Sequence, residues 1–130
     1  MKNVGMIFSL LAVMLLFAQS ALAQDATKVD AKHYKVVFEN DEVRVLRINY
    51  GAHEKSVMHY HPEGVAIFLT GGKGKFTFPD GTTQNIEWNA GDTIWMPATK
   101  HLPENLSDEP FELIQVEMKV QPATDAKGLY

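Results

Sequence analysis

The chain contains no cysteine. That absence excludes disulfides, thiolate metal sites, cysteine nucleophiles and lipid attachment through an N-terminal Cys. It also lacks an excess of positive charge: 16 Asp and Glu against 12 Lys and Arg give a formal net charge of −4. An acidic balance excludes a general nucleic-acid binder, which needs a basic face. Beyond residue 23 no apolar run is long enough to cross a bilayer. No Ser-His-Asp grouping or dinucleotide fingerprint occurs, and Gly71-Gly72-Lys73-Gly74 lacks the frame of a phosphate-binding loop. Helical periodicity does not persist for three turns anywhere in the mature chain, and no repeat, low-complexity tract or linker divides it.

What is present begins with a leader. Lys2 precedes an apolar stretch from Met6 to Ala18, and Ala21-Leu22-Ala23 places small residues where a signal peptidase reads. Residues 1–23 are therefore expected to be a signal peptide, and the protein to be periplasmic or secreted, with no membrane association after cleavage. Cleavage would leave Gln24 first on a chain of 107 residues with a net charge of −5, because Lys2 is the leader's only charge. The remainder is about 39% apolar and of a size that buries one core.

Residues 24–33 are polar and read as a loose segment. Thereafter short β-branched and aromatic stretches alternate with turns. Strands are expected at Tyr34 to Phe38, Val43 to Tyr50, Val65 to Thr70, Lys75 to Phe78, Thr83 to Trp88, Thr93 to Met96 and Phe111 to Val120. The last has Ile114, Val116, Met118 and Val120 at period two. Gly71 to Gly74 offers positive φ for a tight hairpin, and Pro79-Asp80-Gly81 reads as a turn. Such spacing indicates an all-β, antiparallel jelly-roll sandwich or barrel over residues 34–120, with residues 121–130 as a C-terminal tail. The strand at Tyr34 to Phe38 is a natural edge, and covering it would give a homodimer.

Of five histidines, three draw attention. His59 and His61 stand two apart in VMHYHPE, so on an extended strand both imidazoles face one way and Tyr60 the other. His101 follows the segment GDTIWMPATK and precedes Leu102-Pro103-Glu104-Asn105. His33 and His53 receive no role.

These two segments resemble the motifs of the cupin superfamily, G(x)5HxH(x)3,4E(x)6G and G(x)5PxG(x)2H(x)3N. The second pattern is met at Gly91, Pro97, His101 and Asn105, the first at His59, His61 and Gly72. The likeness runs from about Tyr34 to Val120. It implies a cupin-type jelly-roll barrel and a metal site on His59, His61 and His101. Three departures matter. The Gly before HxH is Gly51, seven residues upstream, and Pro97 to His101 is one residue short. The acidic ligand is missing as well, since its position falls on Val65 or Ala66. Glu63, two residues early, could reach the site only by swinging in from a loop.

Three neutral imidazoles leave a divalent ion its full charge and open positions. It is then a stronger Lewis acid, and an anionic small-molecule ligand would supply the missing charge. Imidazole accepts Fe, Zn, Cu or Ni, with Mn also possible, and intrinsic affinity places Cu and Zn ahead of Fe and Mn. If Val65 faces inward, Ile67 and Leu69 stand beside it as an apolar wall; Trp95 and Met96 read as core residues of a strand, with a place at the cavity mouth as the alternative. Glu104 reads as solvent-facing, with a base for metal-bound water as the alternative, and Asn105 as a residue that orients its loop through backbone bonds. The resulting expectation is an exported metal-binding cupin acting on a small organic anion, with dioxygenase-like chemistry. A non-catalytic binding or sensing module and a metal-hydroxide hydrolase or lyase stand as alternatives.

Overall fold

Alternation of β-branched or aromatic residues with polar ones, cut by turns every few residues, builds all but one of the regular elements. The computed structural model describes residues 24–119. The expected signal peptide and C-terminal tail lie outside the described residues. One short helix, α1 (Ala26–Val29), precedes nine strands: β1 (Tyr34–Glu39), β2 (Val43–Tyr50), β3 (His59–His61), β4 (Gly64–Phe68), β5 (Gly72–Thr77), β6 (Thr83–Trp88), β7 (Thr93–Met96), β8 (Thr99–Asn105) and β9 (Phe111–Met118). Among the described residues no helix is long and apolar enough to cross a membrane.

The strands form two antiparallel sheets, ordered β1-β2-β9-β4-β7 and β3-β8-β5-β6. Between β4 and β5 the chain leaves the first sheet for the second, so consecutive strands there do not pair. This is the jelly-roll arrangement that the spacing predicts. The core between the sheets is built from Leu46, Ile48 and Tyr50 of β2, Ala66 and Phe68 of β4, Trp88 of β6, and Phe111 and Leu113 of β9. Phe68 stacks on Trp88 with ring centroids 4.7 Å apart, and Tyr50 stacks on Phe111 at 4.9 Å. Burying one such side chain contributes about 2 kcal/mol, which sums over this group into the main stabilising term.

Three expectations need correction. Gly72 and Gly74 do not make a tight hairpin: both lie in β5, and among the described residues the glycines with positive φ are Gly81 and Gly91. Their missing Cβ atoms make room for Trp88 instead, since a Cβ on Gly72 would stand 2.8 Å from the indole Cζ2. The second correction is one of phase. On β9 the buried face is Phe111, Leu113, Gln115 and Glu117, while Ile114 and Val116 are half-buried and Met118 is exposed. On β4 Gly64, Ala66 and Phe68 point inward, and Val65 and Ile67 outward; Leu69 is exposed. Period two was legible, but both faces of these strands are rich in apolar residues, so composition alone chose the wrong one.

The outward face has its own order. Registers place Phe38, Val45, Val116, Val65 and Trp95 in one row across all five strands of the first sheet. The two ends of that row are the most open, Phe38 at 53% and Trp95 at 55% exposure. β1 is an edge strand, as expected, and its register shifts between Val36 and Phe38.

The third correction concerns residues 24–33. Asp25 caps α1 by accepting from the Thr27 N–H at 2.9 Å, and Ala26 is fully buried. The Tyr60 N–H donates to the Gln24 carbonyl at 2.8 Å. Rather than trailing loosely, the segment packs against β3, beside the histidines.

Candidate metal centre

An extended backbone through His59-Tyr60-His61 turns both imidazoles inward and leaves Tyr60 outside. β3 pairs with β8 in a register that sets His59 directly opposite His101. Directly opposed residues share a face, so three rings converge from two neighbouring strands. Their exposures are 0%, 2% and 4% for His59, His61 and His101. One nitrogen from each lies within 4.8 Å of the others. The rings stand nearly perpendicular to one another, with centroids 4.8 to 5.6 Å apart.

Partners on the far side of two rings decide which nitrogen faces in. His59 Nδ1–H donates to the Val57 carbonyl at 2.8 Å, and Ser56 Oγ lies 3.3 Å from the same nitrogen. Ser56 Oγ in turn donates to Asp30 Oδ2 at 2.5 Å. His61 Nδ1–H donates to Glu117 Oε1 at 2.6 Å. Both tautomers then carry a free lone pair on Nε2. Glu117, itself 1% exposed, accepts from Arg44 Nε through Oε2 at 2.6 Å. Arg44 Nη2 reaches both that oxygen and Asp25 Oδ2, each at 2.6 Å. An ionic chain thus runs from the helix cap through Arg44 and Glu117 to the back of His61.

His59 Nε2 and His101 Nδ1 are buried without a hydrogen-bond partner. An orphaned buried polar atom costs about 1–3 kcal/mol, so two on adjoining rings of one cluster call for an occupant. Burial, reinforced by the neighbouring imidazoles, pushes His59 down to about 4 and His101 down to about 2. Both are therefore neutral at physiological pH, the state in which imidazole ligates. Buried, neutral nitrogens with free lone pairs fit a divalent cation.

The acidic candidates behave differently from one another. Glu63 is exposed, and Glu104 pairs with Lys75 at 2.9 Å on the surface, so neither belongs to the cluster. Val65, one of the two positions where the resemblance places the acid, points outward; Ala66, the other, points into the interior. The acid at the site is Glu117, and it acts through His61. Sequence reading missed it because the Ile114 face of β9 looked like the buried one. Choosing the Phe111 and Leu113 face instead would have put Gln115 and Glu117 inside. Asn105 does what was expected: its Nδ2 donates to the Gly51 and Glu109 carbonyls, and its Oδ1 accepts from the Ser107 N–H, each at 2.9 Å. His33, given no role, is buried between Asp30 and Glu54 and stacks on Tyr50 at 4.2 Å. His53 is exposed beside Asp108.

A cavity of about 440 Å³ opens beside the cluster, lined in part by Tyr34, Tyr50, Phe68, Phe76, Trp88, Phe111, Met96 and Gln115 together with His61 and His101. Met96 packs against the core and lines the cavity, whereas Trp95, read as core, is exposed in the outward row.

With fold and cluster in place, comparison with known proteins is decisive on family. The cupin domain family matches residues 45–117, more than half of the chain. The chain is a cupin. Solved structures of the same fold include a cupin domain from Bordetella pertussis Tohama I, at 22% identity and a TM-score of 0.62, covering 67% of this chain and 92% of that one. Another is an RmlC-like cupin family protein with a double-stranded β-helix fold from Methanocaldococcus jannaschii, at 20% identity and a TM-score of 0.53, covering 65% and 77%. A cupin 2 conserved barrel domain protein from Salinispora arenicola CNS-205 has 21% identity and a TM-score of 0.52, covering 71% and 80%. At these identities the likeness is one of fold. No curated protein matches this cupin.

Proposed function

We propose that this cupin is exported, holds one divalent ion on His59, His61 and His101, and acts on a small organic anion by oxygen-dependent oxidation. The observation that carries the reading is three buried imidazoles, two of them with orphaned nitrogens, of which His61 and His101 line a largely apolar cavity. A bound divalent ion supplies Lewis acidity and, where the metal is redox-active, a site for dioxygen. The chain's own contribution is threefold. Glu117 and Val57 hold the rings of His61 and His59 in one orientation. The aromatic walls exclude water, and three uncharged ligands leave the cation's charge for an anionic substrate.

A hydrolase or lyase that relied on side chains would need one in the cavity that exchanges a proton with the substrate, whereas a metal-bound hydroxide would need none. Glu87, the carboxylate among the lining residues, is exposed on β6. Burial raises both Tyr34 and Tyr50 above the usual phenol range, so neither ionises near neutrality. The same scarcity of acid–base groups favours a binding module as the second reading.

Oxygen uptake by iron- and copper-loaded protein, with a panel of diketones and phenolic acids, separates the two. Consumption of oxygen in step with substrate supports oxidation. A ligand that raises Tm without being consumed supports binding alone. Export is supported by the Met6 to Ala18 run and the Ala21-Leu22-Ala23 site, and is tested by a mature N-terminus at Gln24. Pairing with a second copy is supported by the Phe38-to-Trp95 row, which runs unbroken to the β1 edge and which an isologous contact would cover.

A further inference from the structure

Gln115 is the one side chain on the inner face of β9 whose polarity the protein does not use. It is 6% exposed, lines the cavity, and makes no side-chain hydrogen bond among the described residues. Its neighbours are all engaged. Glu117 is held by His61 and Arg44, the Trp88 Nε1–H donates to the Thr70 carbonyl at 2.9 Å, and the Tyr34 and Tyr50 hydroxyls bond each other at 2.5 Å. The amide opens onto the cavity rather than being sealed in the core, and a sequence that only had to fill this space would carry an apolar residue.

Position gives the amide a specific relation to the histidines. Gln115 pairs with Leu46 on one side and Ala66 on the other, at the centre of the five-stranded sheet. Glu117, two residues further along the same face, holds His61. Two residues of strand span roughly 7 Å, so Gln115 is the next inward side chain after the one behind His61. On the histidine side of the cavity stand Tyr34 and Phe76, beside His61 and His101, and on the far side of Gln115 stand Phe68, Trp88 and Phe111. The lining residues include no Lys or Arg, and their one carboxylate, Glu87, is exposed. A second charge on a ligand would therefore be desolvated without a counter-charge.

We infer that Gln115 is a specificity-determining residue and that the cavity takes an aromatic molecule with one anionic end at the histidine cluster and an uncharged hydroxyl or carbonyl at the Gln115 amide. This rests on the proposed metal site for the anionic end, while the Gln115 contact stands on its own. Dicarboxylates and phosphorylated compounds are excluded by the same argument.

The test uses zinc-loaded protein titrated with benzoate, its three hydroxy isomers and benzene-1,4-dicarboxylate. In the wild type at least one hydroxybenzoate binds about tenfold tighter than benzoate, and the dicarboxylate binds more weakly than benzoate. Gln115→Leu keeps its zinc, binds benzoate within about twofold of wild type, and loses the preference for the hydroxy isomer. Its Tm is within a few degrees of the wild type, since the substitution breaks no hydrogen bond within the protein. A preference that survives in Gln115→Leu, hydroxy isomers no tighter than benzoate, or a dicarboxylate as tight as benzoate would each overturn the inference. If zinc does not bind, the metal reading fails, and phenol against toluene on metal-free protein decides Gln115 alone. Phenol preferred in wild type but not in Gln115→Leu supports the contact; equal behaviour in the two proteins refutes it.

Discussion

Replacing Glu117 by Gln changes one buried atom and leaves the volume alone, yet it strikes the ionic chain behind His61 at its middle. The carboxylate accepts from His61 on one oxygen and from Arg44 on the other, each at 2.6 Å. An amide cannot accept on both sides. Whichever way it turns, its NH2 faces either the Arg44 guanidinium, a fixed donor, or the His61 ring, which could accept on Nδ1 only by moving its proton to Nε2, the nitrogen that would ligate. A buried hydrogen bond replaced by a donor–donor contact costs about 1–3 kcal/mol in folding stability. Arg44 keeps Asp25 as a partner, which holds the loss below that of a fully stranded charge. The effect on the metal is larger than on the fold, because the oriented, more basic His61 is what the carboxylate provides. Removing such an outer partner lowers metal affinity about 10- to 100-fold. Competition titration of Zn2+ against a chromophoric chelator reads this directly. Glu112→Gln is the control, since Glu112 pairs with Arg47 on the outward face and should change affinity by less than about twofold. Wild-type affinity in Glu117→Gln, or an equal loss in Glu112→Gln, would refute the role assigned to Glu117.

Other outcomes follow from the same coordinates. Stability of the metal-free protein should fall as pH drops from about 6.5 to about 4. An unfolded His takes a proton near 6.5, whereas burial holds folded His59 at about 4, so acid favours the unfolded chain by up to about 3 kcal/mol from this residue. Urea titrations at pH 7 and 4.5 measure it, and equal midpoints would contradict it. Gly64→Ala should cost about 3 kcal/mol, because the new Cβ would lie 1.9 Å from the Val116 carbonyl oxygen and β4 would have to part from β9; an unchanged urea midpoint would count against that packing. Trp95→Glu should turn a dimer into a monomer in sedimentation experiments without lowering Tm, and a variant that sediments as the wild type does would remove the outward row as the interface.

Much of the architecture was legible because the signals were local. Val43 to Tyr50, Thr83 to Trp88 and Thr93 to Met96 have the bounds that their turns and β-branched runs suggest. The histidine pair was legible from period two alone, and His101 from the pattern around Gly91 and Pro97. What escaped was whatever depended on the opposite sheet. The inward face of β9 could not be chosen from β9, since Ile114 and Val116 are as apolar as Phe111 and Leu113. Arg44 is decisive in hindsight: it lies on the face of β2 that carries Leu46 and Ile48, and its pairing with Glu117 fixes the phase. Residues 24–33 looked loose because their polar groups have partners far along the chain, Arg44 for Asp25 and Ser56 for Asp30. Gly72 and Gly74 were misread for a related reason, since the Trp88 ring they accommodate lies on the next strand, β6.

Elemental analysis of the purified wild type beside His61→Ala tests the centre of the account most directly. One equivalent of a divalent transition metal per chain is expected in the wild type, and less than about a tenth of that in the variant, with the same β-rich circular dichroism. A folded His61→Ala that retains its metal, or a wild type that takes up none when metal is supplied in excess, would contradict it.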